Sequence, residues 1–218
     1  MAKAKQGIKL LEEAIEDYNE AIKLEPQDMN VYYNRGVAKG VIGIKKIEMG
    51  KVEEGKKLIK ESLKDFDKEI YMNPEDANIY FERGGVKSEL GKQEIKQGRV
   101  EEGISWLEAA ISDCDKAISI KPEDANMYFN RGSVKITIGI QKIAKGKIDE
   151  GIKWLEESII DYDKVISINP EYAEAYYYRG VLKDALGDKS GAIEDLSEAG
   201  KLGYTEAYEK IKEIKQDD

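Results

Sequence analysis

The four prolines of this chain fall at Pro26, Pro74, Pro122 and Pro170, each 48 residues after the last. The residues around them repeat as well. The segments opening Pro74-Glu-Asp-Ala-Asn and Pro122-Glu-Asp-Ala-Asn agree at roughly 28 of 48 positions. A fixed period of this length marks a solenoid, in which copies of one supersecondary unit stack and each is held by its neighbours. Such arrays present long surfaces to partners, and the repeat itself is the strongest functional clue in the chain.

Within each repeat, proline closes one helix and the acidic residues after it favour the start of the next, because Pro cannot donate a helical hydrogen bond and carboxylates complement a helix N-terminus. The following helix runs to Gly50, Gly98 or Gly146, where Gly50-Lys-Val-Glu-Glu-Gly, Gly98-Arg-Val-Glu-Glu-Gly and Gly146-Lys-Ile-Asp-Glu-Gly mark a turn. A second helix then leads to the next proline. In the middle repeat its apolar residues are Ile104, Leu107, Ile111, Cys114 and Ile118, a spacing that lines one face of an α-helix. No segment alternates as a strand would, so the fold class is all-α.

The last unit is shorter, with Tyr204 standing where a proline would, 34 residues after Pro170. Its stretch Ala173-Glu-Ala-Tyr-Tyr-Tyr-Arg-Gly-Val-Leu-Lys-Asp-Ala-Leu-Gly-Asp-Lys-Ser-Gly-Ala-Ile-Glu-Asp-Leu resembles a tetratricopeptide repeat (TPR), down to Gly180, Gly187, Ala192 and Ala199. The whole chain then resembles that family in a variant with 48-residue extended repeats, which implies a right-handed superhelical solenoid of antiparallel helix pairs. Glycine spacing locates the extra residues. Gly180 to Gly187 is seven residues, whereas Gly84 to Gly91 to Gly98 is seven plus seven, so the first helix has gained a heptad. The second helix has gained another. Seven residues are close to two turns, with a drift of only about 20°, so the buried face is prolonged rather than rotated.

This register divides a single domain over 1–218 into a lone second helix at 1–25, extended repeats at 26–73, 74–121 and 122–169, an ordinary repeat at 170–203, and a capping helix at 204–218 with Tyr208, Ile211 and Ile214 inward. The N-terminal helix has no such guard. The glycines Gly36/Gly43/Gly50, Gly84/Gly91/Gly98 and Gly132/Gly139/Gly146 cost about 1 kcal/mol each inside a helix, and their recurrence implies closely packed helices.

Composition narrows the function. Net charge is −9, with Lys and Arg interleaved among carboxylates, which disfavours nucleic acid and anionic membranes as partners. No apolar run approaches the roughly 18 residues of a membrane span, and Met1-Ala-Lys-Ala-Lys-Gln leads into no signal-peptide core, so a cytoplasmic location is expected. Histidine is absent, which removes the commonest general base and metal ligand. Cys114 aligns with Tyr18, Phe66, Tyr162 and Leu196 on the buried helix face and reads as a core residue; Trp106 and Trp154 read as packing. Gly50 to Gly55-Lys56-Lys57 nearly spells a phosphate-binding loop, but Lys57 replaces the Ser or Thr and no strand precedes it. No catalytic, cofactor-binding or metal-ligating residue is expected, and the chain is read as a non-enzyme.

Two sets of residues recur in register. Arg35, Arg83, Arg131 and Arg179 precede glycine in every unit, and Asp17, Asp65, Asp113, Asp161 and Asp195 recur in the second helices. Helical counting brings the arginines level with these aspartates in either adjoining second helix, which suggests a buried ion-pair ladder because buried charges must be paired. Arginines waiting for an anionic ligand are the alternative.

The TPR resemblance implies that first helices line a concave groove. It would carry Asn30, Tyr33 and Asn34, then Asn78, Phe81 and Glu82, then Asn126, Phe129 and Asn130, then Glu174, Tyr177 and Tyr178, with Val37, Gly85, Ser133 and Val181 further along. Aromatics give rigid contact area and asparagine can hydrogen-bond an extended backbone. The alternative is that the rings merely pack between adjacent helices. The expected function is a scaffold that binds a peptide or helix of a protein partner in this groove. The alternative is a self-assembly module, with a homo-oligomer formed through the N-terminal helix.

Overall fold

A computed structural model describes residues 2–216, together with the side chains from residue 6 onward except that of Met29. Met1 and Asp217–Asp218, the outermost residues of the expected first and last segments, lie outside the described residues. The described residues form helices and turns, with no strand among them. The helices are α1 (Ala2–Leu24), α2 (Met29–Glu48), α3 (Val52–Met72), α4 (Ala77–Lys96), α5 (Val100–Ile120), α6 (Ala125–Ala144), α7 (Ile148–Ile168), α8 (Ala173–Ala185), α9 (Lys189–Lys201) and α10 (Glu206–Gln216).

The helices gather into two compact units, Met1–Ile120 and Lys121–Asp218. Stacked repeats touch only their neighbours, so a boundary can fall at any proline loop, and here it falls at the third. In the first unit α2 pairs with α3 and α4 with α5, while α1 lies against α2. Its core holds Ile47, Ile59, Phe66, Ile79, Val86 and Leu90, with Trp106 packed at the edge. In the second unit α6 pairs with α7, α8 with α9, and α10 covers α9. Ala192, Leu196, Ala199, Ala207 and Ile214 form a core there. Ile214 is buried and Ile211 half-buried, but Tyr208, expected inward, remains 45% exposed. Its ring lies over Gly200, where an added Cβ would come within 2.5 Å of Cζ, so the cap covers α9 with the flat of a ring.

Local chemistry sets the helix ends. Asp28, Asp76 and Asp124 each accept a hydrogen bond from the backbone N–H two residues on, at 3.0, 2.9 and 3.0 Å, which satisfies a free donor of α2, α4 and α6. At the other end Gly98 has φ 81°, its N–H donates to Ile95 O at 2.9 Å, and Arg99 N–H donates to Glu94 O at 2.9 Å. This is a Schellman closure, which needs the left-handed conformation glycine adopts freely. Gly50, Gly146 and Gly187 close α2, α6 and α8 in the same way.

The added heptads lengthen the helices without interrupting them. α4 has 20 residues and α8 has 13. The extra length is held by facing glycines. A Cβ on Gly91 would lie 2.7 Å from the carbonyl oxygen of Gly103, and one on Gly103 would lie 2.6 Å from that of Gly91. Gly43 with Gly55, and Gly139 with Gly151, repeat the arrangement. Gly55 and the lysines after it lie inside α3, so no phosphate loop forms there. In contrast Gly85, exposed on α4, has nothing within 4 Å of a Cβ.

These surroundings set opposite expectations for one substitution. Gly91→Ala gains about 1 kcal/mol of helix propensity but meets backbone that cannot yield, a strain of about 1–3 kcal/mol or more. Gly85→Ala gains propensity with no clash. Denaturant unfolding should show Gly91→Ala destabilised and Gly85→Ala stabilised by about 0.5–1 kcal/mol.

Candidate peptide-binding face

The first helices α2, α4, α6 and α8 each carry a tyrosine, the candidate aromatic, and an arginine at fixed spacing, and the arginine binds the second helix of its own hairpin. Arg35 donates from Nε to Asp65 at 2.9 Å, and Arg83 likewise to Asp113 at 3.0 Å. Arg131 reaches Asp161 at 3.1 Å and Arg179 reaches Asp195 at 2.8 Å. In every case the aspartate belongs to the second helix of the same hairpin. Asp65, Asp113, Asp161 and Asp195 are buried. Each also holds a lysine one turn after the arginine: Lys39 at 3.0 Å, Lys87 at 2.7 Å, Lys135 at 2.9 Å and Lys183 at 2.8 Å. The lysines escaped the sequence reading, although Arg and Lys four residues apart recur in every unit.

The arginines are braced further. Their guanidinium carbons stand 5.5–5.6 Å from the ring centroids of Tyr32, Tyr80, Tyr128 and Tyr176. Burial works against the charge of Arg83, but Asp113 and Asp67 outweigh it and hold the guanidinium above its usual range. Arg83 reaches Asp67 at 2.6 Å and Arg179 reaches Asp163 at 2.5 Å, on the preceding second helix. Arg35 makes the equivalent bond to Asn19 at 2.7 Å, so Asp17, expected in the ladder, is replaced there by Asn19 and lies exposed. The reason is register. The position facing back to the preceding helix is two residues beyond the recurrent aspartate.

With the arginines drawn back, the face keeps the residues beside them. In the first unit Asn30, Asn34 and Asn78 are exposed, and Tyr33, Phe81 and Glu82 are half-buried. Tyr33 meets Phe66 edge-on at 6.3 Å, and its hydroxyl lies in the field of Glu82. Burial and the carboxylates of Glu82, Asp76 and Glu69 push that hydroxyl above its usual range. Glu82 is itself pushed up by burial, partly offset by Tyr33.

In the second unit Phe129 joins a continuous group of rings. It stacks on Tyr172 at 5.0 Å and touches Tyr162 at 5.6 Å and Tyr178 at 5.8 Å; Tyr177 meets Tyr178 at 5.5 Å and Tyr204 at 4.5 Å. Asn126 is exposed and accepts from the Tyr172 hydroxyl at 3.2 Å, Asn130 is half-buried, and Tyr178 is 36% exposed. Tyr172 was missed by sequence reasoning. It occupies the position of the capping aspartates Asp28, Asp76 and Asp124, and α8 has no side-chain cap in consequence.

Glu69 was missed as well. It is 4% exposed near the end of α3, where the other second helices carry Ala21, Ala117, Val165 and Ala199. Its Oε2 has no hydrogen-bond partner. Burial first, then Asp76, push its carboxyl up to about 7.

Comparisons with known proteins agree with this architecture. The family model described as TPR repeat matches residues 11–40, a stretch centred on the first proline loop and clear of the extended α2–α3 turn. Among solved structures, MamA aligns with a TM-score of 0.57 at 19% identity, over 91% of this chain and 91% of that one. YrrB, described as a TPR protein with an unusual peptide-binding site, aligns at 0.57 and 19% over 93% and 82%. TTC0263, a thermophilic TPR protein in Thermus thermophilus, aligns at 0.58 and 15% over 96% and 95%. The chain has the tetratricopeptide-repeat fold. No curated protein sequence matches it. Among the described residues no helix is long and apolar enough to cross a membrane.

Two stability tests follow. Asp113→Ala leaves Lys87 half-buried without its anion and Arg83 with Asp67 alone, and should cost roughly 3 kcal/mol, while Asp17→Ala should leave the melting temperature unchanged. Glu69 has a folded pKa above its unfolded value, so the folded state binds the extra proton between about pH 4.5 and pH 7 and stability falls as pH rises through that window. Glu69→Ala should abolish this slope and raise the melting temperature at pH 8 by several degrees, with a smaller gain at pH 4.

Proposed function

We propose that the chain is a non-catalytic scaffold that binds a peptide or helix of a partner protein on the faces that its first helices form within each unit. The observation that carries this reading is the trade made at Tyr172. A capping aspartate worth about 1 kcal/mol gives way to a ring stacked on Phe129, next to the exposed Tyr178. Closing a core would not call for an uncapped helix and an exposed ring, whereas rigid aromatic area flanked by amide side chains suits recognition. The likeness in fold to YrrB, a TPR protein with an unusual peptide-binding site, supports the same reading. The candidate contacts are Asn30, Tyr33, Asn34, Asn78, Phe81 and Glu82 in the first unit, and Asn126, Phe129, Asn130 and Tyr177 in the second, to which Tyr172 and Tyr178 are added.

The test is selection of binders from a random peptide library displayed on phage. Enriched peptides are then synthesised and titrated against the protein. Phe81→Ala with Phe129→Ala should weaken them at least tenfold with the helical content retained; unchanged affinity removes this face from consideration.

Assembly through α1 is the second reading. Asp17 is exposed where its four counterparts each hold an arginine and a lysine, and Leu10 on the same helix is 59% exposed. Light scattering over a hundredfold range of concentration should then show mass growing with concentration, and a constant monomer mass ends this reading.

A further inference from the structure

Building on the peptide-binding reading, we propose that the first unit carries a cation subsite, formed by Tyr33, Glu69 and Glu82 with Asp76 at its edge, that takes a lysine or arginine side chain of the bound peptide.

Three helices contribute to it, Tyr33 from α2, Glu69 from α3 and Glu82 from α4, with Asp76 as the cap of α4. These three helices pack against one another, the Tyr33 ring meets Phe66, one turn before Glu69 on α3, at 6.3 Å, and the charges act on each other: Tyr33 feels Glu82, Asp76 and Glu69, and Glu69 feels Asp76. The cations that the same helices carry nearby are committed elsewhere. Arg35 and Lys39 hold Asp65, and Arg83 and Lys87 hold Asp113. The cluster therefore gathers acceptors and negative charge while these four cations are engaged by Asp65 and Asp113, and Lys68 of α3 stands over the Tyr71 ring.

Glu69 separates this cluster from an ordinary acidic surface. A carboxylate taken out of water without a partner costs several kcal/mol, so its group stays neutral or finds a cation. The sister repeats avoid that cost with alanine or valine at this position. Here the side chain is buried, with Oε2 unpartnered, and its first unit has kept it. An ammonium or guanidinium entering beside Tyr33 and Glu82 supplies the missing donor to Oε2, and the Tyr33 and Glu82 oxygens accept its remaining N–H groups. The contrast with Glu94 is instructive. That residue is also a buried carboxylate at a position where the sister repeats carry Lys46 and Lys142, but Lys56 pairs with it at 2.7 Å and Arg99 caps it, so it needs nothing from outside.

Proton exchange follows from the same arrangement. Empty, Glu69 carries a proton up to about pH 7 because of its burial and Asp76. The arriving cation favours the carboxylate, so the proton leaves to solvent as the ion pair forms. Binding of a basic side chain should thus release a proton below pH 7 and strengthen as pH rises.

Isothermal titration tests this with two blocked dodecapeptides, one of alternating lysine and serine and one of alternating glutamate and serine. The expected result is binding of the lysine peptide alone, with affinity rising about tenfold from pH 6 to pH 8 and heats at pH 6 that vary with the ionisation heat of the buffer. Glu69→Ala, or Glu69→Gln should the first fail to fold, should remove both the pH dependence and the buffer dependence. Glu82→Gln should weaken binding about fivefold or more, whereas Glu108→Gln, at an exposed position of α5, should not. Equal losses in Glu82→Gln and Glu108→Gln with no proton release mean diffuse attraction to an acidic chain and overturn the subsite. Failure of the lysine peptide to bind, while library peptides still depend on Phe81 and Phe129, also overturns it and leaves the peptide-binding face standing. Loss of the Phe81 and Phe129 dependence removes the face on which the subsite rests.

Discussion

In each hairpin one aspartate is withdrawn from water between two helices, and an arginine and a lysine one turn apart are drawn in to meet it. A buried carboxylate tolerates no weaker arrangement, because its desolvation must be offset by well-placed donors. The two cations are taken from the first helix, whose other residues form the candidate binding face. The clasp therefore does more than join the hairpin. By holding Arg35, Arg83, Arg131 and Arg179 against the second helices, it leaves tyrosine, phenylalanine, asparagine and glutamate to set the character of each unit's first-helix face.

The glycine pairs act with the clasp at the other end of the hairpin. Contact between Gly91 and Gly103 leaves no space for a Cβ on either helix, so the axes approach at the added heptad as they do near the arginine. A longer hairpin with larger residues at these positions would splay. The heptad insertion works because both of its consequences are met: the apolar stripe continues with little rotation, and the prolonged helices have glycine where they meet.

Much of this was legible in the spacing of prolines and glycines, because turns and close helix contacts demand those residues and leave a mark at each repeat. The extended hairpins, the in-phase heptads and the rejection of a phosphate loop at Gly55 follow from that register. The cap was less legible. Tyr208 lies on the apolar stripe of α10, yet a ring can cover Gly200 with one face and leave the other in water. Asp17 shows another limit, since alignment alone cannot say which of two neighbouring helix positions faces an arginine, and it is Asn19 that does. The recurrent lysines were in plain view but sat among many solvent-facing lysines, and only burial separates the two kinds.

Departures from the repeat prove more informative than the repeat, provided each is examined for compensation. Lys56 and Glu94 both depart from their sister positions, the first from isoleucine and the second from lysine, and they pair with each other. Such a coupled exchange preserves the fold and implies nothing about a ligand. Tyr172 and Glu69 depart without local compensation: one leaves a helix start uncapped, and the other buries a carboxyl with a free oxygen. Both lie on or behind the first-helix face of their own unit. A solenoid can bear such losses one repeat at a time, because its stability is a sum over units and their contacts. That tolerance is what allows individual repeats of a near-identical array to acquire separate recognition chemistry, aromatic in one unit and acidic in the other, on a shared backbone.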